Sequence, residues 1–348
     1  MLSYQKPSLV LQRGVPADAG LVADLQRDLR ALGYLTHGID GTFGAGTELA
    51  VRALQHDLIH GAAGQPVPGG AAPVAIDSFN GAPGAPLVGI IDGVVDQALV
   101  ACIAAMMADS RMVLLPSAAD PAADNLKALA AITSSASTRS PMPFISAIVR
   151  QESGGRHFSV PSGRDVDNFV VLGADRDPAD ADRITSRGYG IGQYTLFHHP
   201  PHPDEVASCM LDPVRNVSMA VNELRAKFDG FLVGPADRAD DRVAEHPLLP
   251  LRLCRYPEGD SRYMRDCATC ARQVPAVRIE AGMALFPGSQ STWQATARYA
   301  APDYLDVPDR AAFLCDWPYA VRRYNGGGID SFHYQARVLS NLAALSTT

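Results

Sequence analysis

The chain has 348 residues, enough for two domains or for one large domain with a small satellite. Apolar residues make up 47% and charged residues 19%, the balance of an ordinary globular protein. The formal net charge of −7 excludes a surface built to neutralise a nucleic-acid backbone, so no nucleic-acid partner is expected.

Residues 1–7 show no apolar run behind a basic start, so no ordinary secretory signal is expected. In the first helix Leu21, Leu25, Leu29 and Leu32 share one face, and Gly33 is a natural stop. An Asp-Gly turn comes next in Ile39-Asp40-Gly41-Thr42-Phe43-Gly44. A second helix is predicted from about Thr47, with Val51, Leu54 and Leu58 inward. Apolar spacing alone demands only a small helical module. The further string Asp24-Leu25-Gln26, Leu32-Gly33-Tyr34, Asp40 to Gly44, Thr47, Ala50-Val51 and Leu54-Gln55 resembles the peptidoglycan-binding domain attached to many wall hydrolases. The resemblance covers residues 8–58 and implies a three-helix module binding peptidoglycan around Asp40, Gly41 and Phe43. Such a tethered binder raises the effective concentration of an attached enzyme at its substrate.

Residues 61–90 are rich in Gly, Pro and Ala, a linker composition. The apolar run 94–107 is too short to span a bilayer and reads as a buried helix, so no membrane span is expected. Beyond it, helical patterns alternate with Pro/Gly/Asp-rich loops to the C-terminus, without convincing strand alternation. The longest loops fall at 155–190 and 229–310, and loops of that length are unusual unless functional or cross-linked.

In Pro141-Met142-Pro143-Phe144-Ile145-Ser146-Ala147-Ile148-Val149-Arg150-Gln151-Glu152-Ser153-Gly154-Gly155, Pro143 suits a first helical turn and the glycines end the helix. Phe144, Ile148 and Glu152 lie four apart, so the carboxylate continues an apolar stripe at the helix's negative end. Burial there favours a proton-holding carboxyl group, as a general acid requires. Three further blocks lie downstream. Gly188-Tyr189-Gly190-Ile191-Gly192-Gln193-Tyr194 is a glycine-rich turn ending in an amide. Asp212-Pro213-Val214-Arg215-Asn216 opens a helix with Val214, Val217, Val221 and Leu224 on its apolar face. Arg323-Tyr324-Asn325-Gly326-Gly327-Gly328 precedes a terminal helix carrying Tyr334, Val338 and Leu342.

These four blocks, in this order, resemble the soluble lytic transglycosylase and goose-type lysozyme superfamily. The resemblance covers about residues 90–348. It implies a mainly α, lysozyme-like domain with a minor β part, and cleavage of the β-1,4 bond between N-acetylmuramic acid and N-acetylglucosamine. Glu152 would be the acid/base, with Gly190, Gln193 and Tyr194 lining the sugar site. Tyr324 and Asn325 would contact sugar or orient Glu152, Ser153 would support the catalytic turn, and the Asn216 helix would lie beneath the site. Two departures stand out: 41 positions separate Glu152 from Gln193, a wide gap for the family, and 229–310 matches nothing in it.

The expected organisation is therefore a module at 1–60, a linker at 61–90 and a catalytic domain at 91–348 with insertions at about 156–187 and 229–310. The family's transglycosylases use one Glu, with the 6-hydroxyl of muramic acid as nucleophile and 1,6-anhydro ends as product. Its goose-type lysozymes use water and a loop aspartate, for which Asp165, Asp167, Asp175, Asp177, Asp180 and Asp182 are candidates here. The anhydro-forming reaction is favoured slightly over a hydrolytic muramidase. A chitin-directed enzyme and an inactive wall-binding component are the rivals. Action in the periplasm or cell wall would require export by a secretion apparatus or phage lysis, as a toxin or an endolysin. A toxin implies an immunity protein covering Glu152.

Six cysteines occur. Disulfides are favoured, but Cys254, Cys267 and Cys270 are also open to zinc, completed by Cys209 or a histidine. Cys102 reads as apolar filler, and His198-His199-Pro200-Pro201-His202 as an exposed loop. No metal and no cofactor are assigned.

Overall fold

A computed structural model describes residues 2–62, 74–81, 86–134, 140–230, 252–300 and 304–346. The protein is mainly α, with two small antiparallel sheets among the described residues. It divides into two compact units, residues 1–127 with 156–216 and residues 128–155 with 217–348.

The first unit begins with α1 (Ala19–Ala31) and α2 (Ala45–His60). Asp18 caps α1 by accepting from the Leu21 amide. Leu25, Leu29 and Leu32 are buried as the spacing predicts, whereas Leu21 is half-buried and Val22 takes the inward position. Gly33, at φ +79°, ends the helix, and Tyr34 N–H donates back to the Leu29 carbonyl at 2.9 Å. Val51, Leu54 and Leu58 of α2 are fully buried.

Gln26, 1% exposed, ties this helix pair together. Its amide nitrogen donates to Asp40, the Thr42 carbonyl and Thr47, each at 3.0 Å, and its oxygen accepts from the Gly41 N–H at 2.8 Å. Gly41 sits at φ +73°, and a Cβ there would lie 2.7 Å from the Ala19 carbonyl oxygen.

The helix pair is bonded into the rest of the first unit. Arg30 is buried; it donates to the Leu35 and Val170 carbonyls at 2.8 and 3.1 Å and pairs with Asp167 at 3.1 Å. The Tyr34 hydroxyl donates to Asp57 at 3.0 Å, while Arg187 lies 3.6 Å from the same carboxylate and donates to the Gly33 carbonyl. Part of the expected linker is also built in. Ile76 and Phe79 are buried in a short 3-10 turn, and Asn80 bonds the Leu58 carbonyl and the backbone of Val88. The remainder of that segment, 63–73 and 82–85, lies outside the described residues. The buried helix expected at 94–107 is α3 (Gln97–Ala108), capped by Asp96, with Leu99, Cys102, Ile103 and Met106 fully buried.

The loop expected at 155–190 is corrected in large part to a sheet. Strands β1 (Leu172–Asp177), β2 (Asp180–Tyr189) and β3 (Tyr194–Leu196) form an antiparallel meander in that order. Its strands carry charged residues, glycines and half-buried positions in place of clean alternation, so the period-two signal is missing from the sequence. At the hairpin tip the Asp177 side chain accepts from the Ala179 N–H. After a short α6 (Pro203–Glu205) the unit ends in the first turn of α7 (Pro213–Gly230), where Asp212 accepts from the Val214 and Arg215 amides. His198 and His199, expected exposed, are buried: His198 contacts Glu205 at 2.8 Å, and His199 meets the Tyr34 ring edge-on at 5.1 Å.

The second unit is built around α5 (Met142–Ser153), α9 (Trp317–Tyr324) and α10 (Gly328–Ala343), joined by α8 (Cys267–Gln273) and a two-residue ladder of β4 (Ala276–Val277) with β5 (Val307–Pro308). Along α7, Val217, Val221 and Leu224 are buried as expected but Val214 is exposed. Trp317 is fully buried, stacks on Phe228 at 4.1 Å and donates from its indole to the Leu253 carbonyl at 2.8 Å. Of the expected insertion at 229–310, residues 231–251 and 301–303 lie outside the described residues.

These contacts lead to two stability tests. Asp167→Ala leaves Arg30 buried without its carboxylate and is expected to cost about 3–5 kcal/mol. In chemical denaturation, the double substitution Arg30→Met with Asp167→Leu should recover most of that loss. His157 and His199 both have pKa values lowered from the usual 6.5, chiefly by burial, so the unfolded chain takes up their protons first. Their contribution to stability is then constant above pH 6.5 and falls below it, by at most about 1.4 kcal/mol per pH unit for each histidine. A flat urea midpoint between pH 7 and pH 5 would contradict this.

Candidate active site

Helix α5 forms as its prolines and glycines dictate. Pro141 is its N-cap, Pro143 lies in its first turn, and Gly154 at φ +64° closes it in the left-handed conformation. Phe144 and Ile148 are fully buried, and Glu152 extends their stripe to a half-buried position at the helix end. There the Tyr334 hydroxyl of α10 donates to Glu152 Oε1 at 2.6 Å. The Tyr324 ring stacks nearly parallel on Tyr334, 6.4 Å away with an 11° tilt.

The electrostatics of these phenols reflect their surroundings. Burial first, and then the Glu152 charge, push Tyr334 and Tyr324 well above the ordinary tyrosine value. Tyr299 is pushed up to about 12, chiefly by burial, with Arg298 opposing and Glu152 adding. At neutral pH the carboxyl group therefore faces neutral phenols, one of which donates to it.

The second unit thus brings Glu152 and Tyr324 together, and adds Tyr334 and Tyr299. Asn325 caps α9, its N–H donating to the Arg322 carbonyl, and Gly326 at φ +103° turns the chain into α10. Ser153 lies at the helix end that carries Glu152. Its side chain is buried and its hydroxyl donates to the Val149 carbonyl at 3.0 Å, so it closes the last turn of α5.

In the first unit Gly190–Gln193 form the β-turn between β2 and β3, with Gly188 and Tyr189 ending one strand and Tyr194 opening the next. Gln193, at φ +50°, donates from its side-chain amide to the Gly190 carbonyl at 2.8 Å. Its oxygen lies over the paired strand glycines Gly173 and Gly188, where an added Cβ would fall 2.4 and 2.8 Å from it. Those glycines are needed for the close approach of the amide. Asn216 braces the turn from behind, accepting from the Gly192 N–H at 2.8 Å and donating to the Tyr189 and Cys209 carbonyls. His157 also backs it, leaving no room for a side chain at Gly190 and bonding the Met210 carbonyl at 2.8 Å. Tyr194 is exposed at 38%. The wide spacing between Glu152 and Gln193 is accounted for by the β1–β2 hairpin.

The six loop aspartates all belong to the first unit, and each has structural work there. Asp165 accepts from the Ile39 and Asp167 amides, Asp167 pairs with Arg30, and Asp175 accepts from Ser186. Asp177 binds Arg183, Asp180 reaches His56, and Asp182 pairs with Arg52 at 2.6 Å. In the helical module Asp40 is exposed but spends its carboxylate on Gln26 and the Thr42 amide, and Gly41 holds the turn. Phe43 is buried, with its ring in the core.

Sequence reasoning placed Tyr334 on the terminal helix without assigning it to Glu152, and it passed over Tyr299. Helical spacing marks Tyr334 as inward, yet the partner it meets, 182 positions away, is a matter of tertiary packing.

No curated protein matches the chain, and no solved structure matches it. Residues 18–58 match the family model described as a putative peptidoglycan binding domain. That span takes in α1, the Asp40-Gly41 turn and nearly all of α2, the part of the first unit organised around Gln26. Residues 18–58 therefore carry a peptidoglycan-binding domain, which points to an association with peptidoglycan.

Proposed function

We propose that the protein cleaves the glycan strands of peptidoglycan at the β-1,4 bond between N-acetylmuramic acid and N-acetylglucosamine, with Glu152 as acid and base. The observation that carries this reading is the Tyr334 hydroxyl 2.6 Å from Glu152, at the end of a buried helix and beside two further phenols. Glu152 would protonate the glycosidic oxygen as the bond breaks. It would then accept the proton of the muramic acid 6-hydroxyl as that oxygen closes on the anomeric carbon, leaving a 1,6-anhydro end. A hydrolysing glycosidase needs a second carboxyl group for water or for a covalent intermediate. The engagement of all six loop aspartates in the first unit's own contacts supports the single-carboxylate route over the muramidase route. Gly190, Gln193, Tyr194 and Asn325 are assigned to the glycan by the resemblance of their motifs.

The substrate places the action in the periplasm or cell wall, after export by a secretion apparatus or release by phage lysis. Among the described residues no helix is long and apolar enough to cross a membrane. If the protein is delivered as a toxin, its producer needs an immunity protein that covers Glu152.

Glu152→Gln should lower muropeptide release from purified sacculi by about 10²–10⁴-fold while sacculus binding persists. Equal release by wild type and variant would remove Glu152 from the reaction, and no release by the wild type would reduce the protein to a wall binder. Tyr334→Phe keeps the ring and removes the donor, and should lower kcat by about 10-fold with little change in KM. Mass spectrometry of the products should show anhydro ends, lighter than reducing ends by the mass of one water; reducing ends alone would assign the chemistry to a hydrolytic muramidase.

A further inference from the structure

Four of the six cysteines converge in the second unit, away from Glu152. Cys254, Cys267, Cys270 and Cys315 all line one cavity of about 310 Å³, together with Phe144 at the opposite end of α5 from the glutamate. The backbone brings them there by a pinch. Arg252 N–H donates to Asp316 at 2.7 Å, its guanidinium donates to the Phe313 carbonyl at 3.0 Å, and Trp317 donates to the Leu253 carbonyl at 2.8 Å. Residues 252–253 thus lie against 313–317, and Cys254 and Cys315 flank the junction. Helix α8 closes onto the same place. The Met264 N–H just before it meets Cys254 Sγ at 3.3 Å, and Arg255 bonds Gln273 at its end. Cys267 and Cys270, three apart on one helix, present both thiols to one side.

We propose that these four thiols are a cross-linking site which closes as two disulfides when the protein reaches an oxidising compartment. Between Leu253 and Cys315 the described chain holds α8, a two-residue ladder, an isolated bridge between Ala284 and Thr292, a 3-10 turn at Arg310–Ala312 and further short turns, so few backbone ladders tie it down. Covalent bridges are one way such a segment is held in an oxidising compartment. Among the described residues no three Cys, His, Asp or Glu side chains are grouped so as to hold a metal ion. In each bridge two thiols lose two protons and two electrons as the S–S bond forms. An oxidised disulfide donor takes them up and leaves as two thiols.

Burial pushes Cys315 up to about 12 and Cys267 well above its ordinary value, so at neutral pH both are thiols and poor nucleophiles. Closure by oxidised glutathione should accordingly be slow at pH 7 and faster at pH 9. Cys102 and Cys209, buried in the first unit, take no part.

The test is thiol counting on the full chain. After oxidation with a glutathione redox buffer, denaturation and alkylation, the intact mass should show two alkylated cysteines, and reduction should restore six. Non-reduced peptide maps should join peptides holding Cys254, Cys267, Cys270 and Cys315. The thermal midpoint of the oxidised protein should fall by about 5 °C on reduction, a shift that Cys315→Ser diminishes. A Cys102→Ser, Cys209→Ser double variant keeps the same four cysteines protected and serves as the folding control. Six alkylated cysteines after oxidation would overturn the proposal. So would a stoichiometric zinc ion whose removal by chelator exposes the four thiols.

Discussion

The contact between Tyr334 and Glu152 depends on keeping a carboxyl group half-buried at the negative end of α5 while giving it a neutral donor. Neither requirement is met within α5 itself. The helix supplies the stripe Phe144, Ile148 and Glu152, and α10 has to lie alongside for its phenol to reach 2.6 Å. Val338 and Leu342 of α10 are fully buried. The stacked Tyr324 at the end of α9 then limits how far Tyr334 can turn.

The first unit answers a related problem with buried polar hubs. Gln26 satisfies the Asp-Gly turn from inside, Arg30 closes over Asp167, and Asn216 holds three backbone groups behind the Gln193 turn. Each hub is costly if half-satisfied and specific when complete. The family motif of the peptidoglycan-binding domain is accordingly in large part a record of architecture. Gln26, Gly33, Gly41 and Thr47 are required by hydrogen bonds and backbone geometry before any ligand is considered.

The aspartates between 165 and 182 are architectural in the same sense. In the sequence they stand as six equivalent candidates for a catalytic role. In the folded chain they cap turns, pair with Arg30, Arg52 and Arg183, and carry the hairpin. Polar residues that look uncommitted in a loop are often the ones that build it.

Local chemistry alone was sufficient for α1, α2, α3, α5 and α10, because apolar spacing, caps and glycine stops act within a few residues of one another. It sufficed equally for the peptidoglycan-binding module, whose turn residues are confined to one short stretch. The β1–β2–β3 sheet was hidden, since half-buried strands rich in charge and glycine carry no alternation. The burial of His198 and His199, the partner of Glu152 and the meeting of Cys254 with Cys315 were hidden as well. Those are encounters between residues far apart in the chain, and only long-range packing can bring such groups together.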